Sequence, residues 1–162
     1  METIYFKNTK EIKKAKEEIE KNLNVTITLV GKKALIEGAS LNEYEAWNIL
    51  DAISFGFSAK KALQLKESEL SFKKINIKDF TRRKNMYDVR ARIIGKEGKV
   101  KRTIEDLSDC EMIIKDNMIG IIGYAESIDI VITALTNLIR GSKVSNVYNF
   151  LEKMNRDRRT LS

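Results

Sequence analysis

An internal repeat sets the strongest limit on the possible folds of this chain. The segments "IEKNLNVTITLVGKKALIEG" (19–38) and "IEDLSDCEMIIKDNMIGIIG" (104–123) align without a gap, and both begin with Ile-Glu and end with Gly. Gly56 and Gly141 lie in the same frame further along. Identity between the copies is low, but these matches share one frame and favour duplication of a folding unit over chance.

Each copy predicts the same order of secondary structure. A helix that ends near Asn22 or Ser108 is followed by two short β-rich segments joined by a tight polar turn. An amphipathic helix comes next, with Gly56 or Gly141 where a C-terminal cap is expected. This helix is predicted to pack on a sheet through apolar residues at helical spacing: Ala46, Ile49, Leu50 and Ile53 in the first copy, and Ile128, Ile132, Leu135 and Ile139 in the second.

The copies differ in the stretch before this shared part. The first copy has a strand around Ile4 but is shorter here, and its residues 10–13 fall opposite a Gly-x-x-Gly turn in the second. The first copy is therefore predicted to keep the scaffold and to lack the turn. The second copy predicts a strand at 71–78, a helix at about 88–94, the turn Gly95-Lys96-Glu97-Gly98 and a helix at about 99–107.

Positive charge is concentrated beside this turn. Between Arg82 and Arg102 nine basic residues stand against Asp88 and Glu97, a local excess equal to the net charge of +7 of the entire chain. So local a patch is typical of a nucleic-acid-binding surface, and a merely solvated face is the alternative. The chain has no His and a single Cys, Cys110, which excludes an intrachain disulfide, a His-based triad and a zinc site.

The turn has the chemistry of a phosphate clamp, although a plain helix–helix turn is the alternative. Gly95 and Gly98 let another backbone approach closely, and the free N–H groups at the start of the next helix face the same place. Glu97 is expected to point to solvent or to pair with a lysine, and packing is favoured over base stacking for Tyr87. The predicted nucleic-acid-binding residues are Arg90, Arg92, Ile93, Ile94, Gly95, Lys96, Glu97, Gly98, Lys99, Lys101, Arg102, Ile113, Ile114 and Lys115.

Other candidate sites are weaker. Cys110 lies opposite Val25 in the repeat and is predicted to be a small core residue. The acidic residues between Glu105 and Glu111 lie around a helix end, and no catalytic, metal or cofactor site is predicted there. No apolar run approaches the roughly 18 residues of a membrane span, and the start lacks the apolar core of a signal peptide. We therefore expect a soluble cytoplasmic protein.

The order strand, helix, Gly-x-x-Gly, helix, strand, strand, helix resembles a type I K-homology (KH) RNA-binding domain. The resemblance implies an α+β fold of two tandem type I KH-like units (βααββα), the first of them degenerate and without the GxxG loop. It also implies that the second unit clamps about four nucleotides of single-stranded RNA. The expected domains are residues 1–65, residues 66–150 and a basic C-terminal tail at 151–162, which is either disordered or a solvated end.

The pair of units is similar to the archaeal branch of the partner-of-Nob-one family. The likeness rests on "ARIIGKEGKVKRTIEDLSDCEMIIKDNMIGIIG", on "ISFGFSAKKALQL" and on "LIRGSKVSNVYNFLEK". It implies a ribosome biogenesis factor with no catalysis and no cofactor, which binds the 3′ end of pre-16S or 16S rRNA during small-subunit maturation. The endonuclease Nob and the alpha subunit of initiation factor two are the implied partners.

One departure and two alternatives accompany this resemblance. The family usually carries a glycine loop in the first unit as well, so RNA binding by residues 1–65 is in doubt here. One alternative is another KH RNA-binding subunit of an RNA-processing complex, such as an exosome-like one. The other is a protein-interaction scaffold, in which the basic run contacts an acidic protein.

Overall fold

The structure, a computed structural model, describes residues 1–7, 9–67 and 69–161. It divides into two compact units, unit 1 (Met1–Phe72) and unit 2 (Lys73–Ser162). Two three-stranded sheets are present, and helices pack against each of them. The α+β class predicted from the sequence is confirmed.

Unit 1 has a sheet of strand order β1-β3-β2, in which both strand pairs are antiparallel. Its core is built from aliphatic side chains of the sheet and of the first two helices, such as Ile36, Ile19 and Leu50, which are fully buried. The elements are strand β1 (Glu2–Tyr5), helix α1 (Lys10–Leu23), strands β2 (Thr26–Val30) and β3 (Lys33–Glu37), helix α2 (Ser40–Phe55) and helix α3 (Ala59–Leu63).

Unit 2 has a sheet of strand order β4-β6-β5, and short 3-10 turns lie at Lys96–Gly98 and Ile77–Phe80. The elements are strand β4 (Leu70–Asn76), helices α4 (Met86–Ile94) and α5 (Lys99–Ser108), strands β5 (Glu111–Lys115) and β6 (Met118–Tyr124), and helices α6 (Ala125–Ile139) and α7 (Val144–Leu161). The strand predicted at 71–78 therefore ends earlier, because Ile77 begins a 3-10 turn.

A glutamate in the helix before the hairpin makes the same contact in both units. Glu20 accepts a hydrogen bond through Oε2 from the backbone N–H of Ile27 at 3.1 Å. Glu105, its equivalent in the second copy, accepts one through Oε2 from the N–H of Met112 at 3.0 Å. Each carboxylate ties its helix to the first strand of the hairpin and satisfies a strand N–H.

The same two glutamates form ion pairs one turn back along their helices. Nζ of Lys16 lies 3.6 Å from Oε1 of Glu20, and Nζ of Lys101 lies 3.0 Å from Oε1 of Glu105. Lys16 and Lys101 are themselves equivalent positions in the repeat. The repeat seen in the sequence is therefore a repeat of contacts as well as of elements.

A close packing contact also recurs in the predicted frame. A Cβ on Gly38 would lie 2.9 Å from Val25 Cγ1, and a Cβ on Gly123 would lie 2.5 Å from Cys110 Sγ. Val25 and Cys110 are both buried. The prediction that Cys110 is a small core residue is confirmed.

The units differ where the sequence predicts it. In unit 1 helix α1 runs without interruption from Lys10, so residues 10–13 form its first turn. In unit 2 the glycine turn separates α4 from α5. Unit 1 thus keeps the scaffold without a glycine turn.

The C-terminal segment differs from the expected tail. Residues 151–161 continue helix α7, so a disordered tail is not what the structure shows there. Val147 and Leu151 are buried, and Arg158 donates to Asp109 Oδ2 at 2.8 Å. These contacts anchor α7 to unit 2. Among the described residues, no helix combines the length and apolarity needed to cross a membrane.

The division between the compact units also differs from the expected one. It lies at Phe72–Lys73 rather than at residues 65–66. Helix α3 packs against α1 and α2, and Phe72 contacts the rings of Phe55 and Phe57 with centroids 6.0 and 5.7 Å away. These contacts keep the segment up to Phe72 with unit 1.

Candidate nucleic-acid interface

Gly95 ends helix α4 in a conformation open only to glycine. Its φ of 74° and ψ of 176° lie in a region that side chains essentially exclude. A Cβ here would lie 2.8 Å from both the Cβ and the backbone N of Val100. Close packing of α5 against the turn therefore requires glycine at this position.

Gly98 serves a different purpose at the other end of the turn. It adopts the left-handed conformation with φ 76° and ψ 12°, directly before the first residue of α5. Apart from its neighbours Glu97 and Lys99 and the adjoining helix backbone, no atom of the described residues lies within 4 Å of the position that its Cβ would occupy. The space above Gly98 is therefore open, and the N-terminal N–H groups of α5 give it a positive electrostatic potential.

Exposed cations lie next to this opening in the sequence. Lys96, Lys99 and Arg102 are all exposed. Glu97 is exposed as well, in line with its expected orientation to solvent. Lys101 differs from them, since its side chain is partly buried and its Nζ pairs with Glu105 Oε1 at 3.0 Å. Because unit 1 has the same pair without a glycine turn, Lys101 has a structural role, and its RNA contact stays a prediction.

An open groove of about 350 Å³ lies beside the turn. Tyr87, Arg90, Ala91, Ile94 and Gly95 line it. Tyr87 is 72% exposed, so the packing role favoured from the sequence is wrong. Ala91 is not among the residues predicted from the sequence, although the four helical residues are spaced at i, i+3, i+4 and i+7 and therefore lie on one face of α4.

Arg90 is held at this groove by the hairpin of the sheet. Its Nη1 donates to Asn117 Oδ1 at 2.7 Å. Asn117 lies in the turn between β5 and β6, and its carbonyl accepts from the N–H of Ile77 at 2.8 Å. This hydrogen bond fixes one N–H edge of the guanidinium. The group's planar fork of donors lies beside the groove.

Two of the predicted residues on α4 point elsewhere. Ile93 is fully buried in the core of unit 2 and is not among the residues that line the groove, so its RNA contact stays a prediction. Arg92 donates through Nε to the carbonyl of Leu138 at 2.9 Å and through Nη2 to the carbonyl of Ser142. Both residues lie on other faces of the helix than Ala91 and Ile94, as the rotation of about 100° per residue requires.

The predicted residues on strand β5 do not line this groove. Ile114 packs partly against the core of unit 2, on the same side as buried Met112. Ile113 pairs with Gly120 and alternates to the opposite face of the sheet. Neither Ile113, Ile114 nor Lys115 is among the described residues that line the groove.

The acidic residues near the end of α5 have structural partners. Glu105 accepts a hydrogen bond from the backbone N–H of Met112 and forms an ion pair with Lys101, and Asp109 forms an ion pair with Arg158. Within the ranges that the structure describes, no three Cys, Asp or Glu residues are grouped so that they could hold a metal ion.

Sequence comparisons place this geometry in a family. Residues 71–156 match the model of the eukaryotic type KH domain (KH domain type I), in the form of the second KH domain of PNO1. The KH domain-containing protein MJ0443 of Methanocaldococcus jannaschii is 33% identical over 147 residues, which cover 85% of this chain and 64% of that protein. The pre-rRNA-processing protein PNO1 of Phaeosphaeria nodorum is 30% identical over 129 residues, or 78% of this chain and 48% of that protein. This chain thus spans less than two thirds of the length of these relatives.

A solved structure extends the match to nearly the whole chain. A chain in the crystal structure of the a/eIF2alpha–aDim2p–rRNA complex from Pyrococcus horikoshii OT3 superposes with a TM-score of 0.82 at 29% identity. The superposition covers 96% of this chain and 94% of that chain. The family model covers over half of this chain, and it spans the glycine turn, the sheet and helices α4 to α6. This chain belongs to the PNO1 family of KH-domain proteins.

Proposed function

We propose that this chain binds single-stranded RNA through the glycine turn of unit 2 and acts in the maturation of the small ribosomal subunit. The observation that carries the proposal is the opening above Gly98. Apart from the neighbouring residues in the chain, no described atom lies within 4 Å of a Cβ built there, and exposed Lys96, Lys99 and Arg102 lie within four residues of Gly98. An RNA phosphate fits this place, because backbone N–H groups and cations converge on it.

The groove beside the turn supplies the place for bases. Ile94 and Ala91 offer apolar contact, and Arg90 offers donors that the bond to Asn117 orients. Tyr87 is exposed at the same groove and can stack on a base. Phosphate contacts thus set the register of the strand, and groove contacts select its bases.

The relatives support ribosomal RNA as the target. The protein from Phaeosphaeria nodorum is a pre-rRNA-processing protein, and the complex from Pyrococcus horikoshii contains rRNA and a/eIF2alpha. We assign this chain the 3′ end of 16S or pre-16S rRNA as its target. The endonuclease Nob and the alpha subunit of initiation factor two are its proposed partners, and the cytoplasm is its proposed location. We assign it no catalysis of its own.

The test is binding of a labelled RNA copied from the 3′ end of 16S rRNA, compared with a scrambled RNA of equal length. Wild type and Gly98→Asp are measured, with circular dichroism to establish folding. Gly95 is left unchanged, because a Cβ there collides with Val100 and confounds binding with folding. We expect wild type to prefer the rRNA sequence and Gly98→Asp to lose this binding.

Equal, weak and salt-sensitive binding of both RNAs by wild type would contradict the ribosomal assignment. Unchanged RNA affinity in a folded Gly98→Asp protein would contradict the clamp. In that second case the basic surface of unit 2 would be a protein-docking surface.

A further inference from the structure

A second group of cations lies in unit 2, apart from the glycine turn. The turn between α6 and α7 reads Arg140-Gly141-Ser142-Lys143, and both of its basic residues are exposed. The loop before α4 contributes three more exposed cations. We call this group the α6–α7 patch; it consists of Arg82, Arg83, Lys84, Arg140 and Lys143.

The fold brings the two parts of the patch together. Nη2 of Arg83 lies 3.9 Å from the position that a Cβ would occupy on Gly141. Arg92 fixes the α6–α7 turn against α4 by its bonds to the carbonyls of Leu138 and Ser142. Arg83, from the loop before α4, therefore lies beside the turn that carries exposed Arg140 and Lys143.

Unit 1 shows that the fold does not require this charge. At the equivalent positions of the repeat, the segment Phe55-Gly56-Phe57-Ser58 takes the place of Arg140–Lys143. The glycine is kept, with φ 136° at Gly56 and 107° at Gly141. Its neighbours in unit 1 are aromatic, and their ring centroids lie 6.4 Å apart. The turn thus needs glycine for its conformation, and the charge in unit 2 serves another purpose.

Two acids flank the patch in sequence, Asp79 three residues before Arg82 and Asp88 four residues after Lys84. Asp88 accepts from Asn85 Nδ2 at 3.0 Å, within the first turn of α4. Five cations in one place repel one another, and binding of an anion relieves this repulsion. A polyanion is the ligand whose charge density matches such a patch.

The patch lies on a different side of α4 from the groove. At 100° per residue, Arg92 projects roughly 150° away from the centre of the groove-lining face. Arg92 nevertheless precedes Gly95 by three residues, or about 5 Å of helix rise. A strand that leaves the glycine turn can therefore reach the patch by passing over the end of α4.

We propose that the α6–α7 patch is a second phosphate-binding surface, which holds RNA that continues beyond the roughly four nucleotides of the clamp. This inference rests on the proposed function and adds to it a longer RNA footprint. The contacts are to phosphates, so they contribute affinity and salt dependence but no sequence preference.

The test compares the affinity of the full chain for an RNA of about six nucleotides, which spans the clamp alone, and for one of about twenty nucleotides. Both carry the same 3′-end sequence of 16S rRNA. The patch variant changes Arg83, Lys84, Arg140 and Lys143 to Gln. The control variant changes four exposed residues of unit 1, Lys13, Lys21, Lys32 and Lys60, to Gln, so that net charge falls equally.

We expect the patch variant to bind the short RNA as wild type does and the long RNA on the order of tenfold more weakly. Its salt slope for the long RNA should fall by about 1.5 to 3 units, at about 0.7 per lost phosphate contact. The control variant should keep the affinity and the slope of wild type for both RNAs.

A patch variant that keeps the wild-type gain in affinity with RNA length would overturn this inference and leave the proposed function intact. An equal loss in the patch and control variants would overturn it too, because net charge alone would then account for the effect. If wild type binds neither RNA, the proposed function fails together with this inference.

Discussion

The two glycines of the turn in unit 2 have separate roles, and single substitutions can distinguish them. Gly95 combines a backbone conformation that only glycine adopts with a close contact to Val100. Gly98 is in the left-handed region with open space around it. The first is needed for folding, and the second keeps the surface accessible.

Alanine at each position should therefore affect stability unequally. Gly95→Ala should lower the free energy of unfolding by about 2–4 kcal/mol, from strain and overpacking. Gly98→Ala should cost about 1–2 kcal/mol, from the left-handed conformation alone. Urea denaturation of both variants measures the difference. Equal losses, or a larger loss for Gly98→Ala, would contradict the assignment of roles.

At the scale of helices and strands, each unit has a glutamate that joins a helix to the hairpin, and this contact belongs to the scaffold that the two units share. Glu105→Ala leaves the N–H of Met112 without its acceptor and should cost about 1–3 kcal/mol, whereas Glu105→Gln keeps an acceptor and should cost less. Glu20→Ala should have a similar effect through Ile27. Thermal unfolding compares the stability of these variants. If Glu105→Gln is as unstable as Glu105→Ala, the hydrogen bond from the N–H of Met112 does not contribute to stability.

The ion pair on the same helix predicts which lysine contacts RNA. Lys101→Met should lower stability by less than about 1 kcal/mol, as is typical of pairs near the protein surface, and should leave RNA affinity nearly unchanged. Lys99→Met, the matched change at an exposed position, should weaken RNA binding and reduce the salt slope by about 0.7 units. If Lys101→Met weakens RNA binding as much as Lys99→Met, then Lys101 contacts RNA despite its pair with Glu105.

A carboxyl group on helix α1 of unit 1 makes the stability of the protein depend on pH in the acid range. The backbone N–H of Ala59 donates to Glu11 at 2.9 Å and lowers the pKa of this carboxyl below its ordinary value of 4.5, with a further contribution from Lys14. Because the folded pKa is the lower one, the stabilisation is present above pH 4.5 and is lost as pH falls through the folded pKa.

Glu11→Gln should therefore flatten the decline of the melting temperature on acidification below pH 4.5. Gln keeps an acceptor for Ala59 and carries no charge to titrate. Glu17→Gln, at an exposed glutamate of the same helix, is the control. The same acid-induced decline in Glu11→Gln as in wild type would show that the contact with Ala59 has no bearing on pH stability.

At the scale of the whole molecule, the local patterns were predicted from the sequence, and the tertiary contacts of long side chains were not. The repeat predicted the order of elements and the missing turn in unit 1, because spacing and apolar periodicity are local properties that folding preserves. Partners of long side chains were not predicted: Arg92 bonds to carbonyls of the α6–α7 turn, and Lys101 pairs with Glu105. Such partners depend on tertiary packing, which brings together positions far apart in sequence.

Helix α7 shows the same limit at its C-terminal end. The sequence KMNRDRRTLS (153–162) has no apolar periodicity, so a basic tail was predicted at 151–162. In the structure Arg158 bonds to Asp109 and to Ser127, the latter near the start of α6. Polar contacts thus hold a segment whose pattern does not predict packing.

Two copies of one scaffold have diverged in charge and in the glycine turn, and only unit 2 has the features of an RNA clamp. The sharpest comparison is the RNA affinity of Gly98→Asp against that of Gly98→Asn. The two side chains have nearly the same shape, both tolerate the left-handed conformation, and only Asp carries charge. We predict equal thermal stability, with RNA binding at least tenfold weaker for Asp than for Asn, because the carboxylate meets a phosphate above Gly98. Equal RNA affinities of the two variants would contradict a phosphate clamp at this turn.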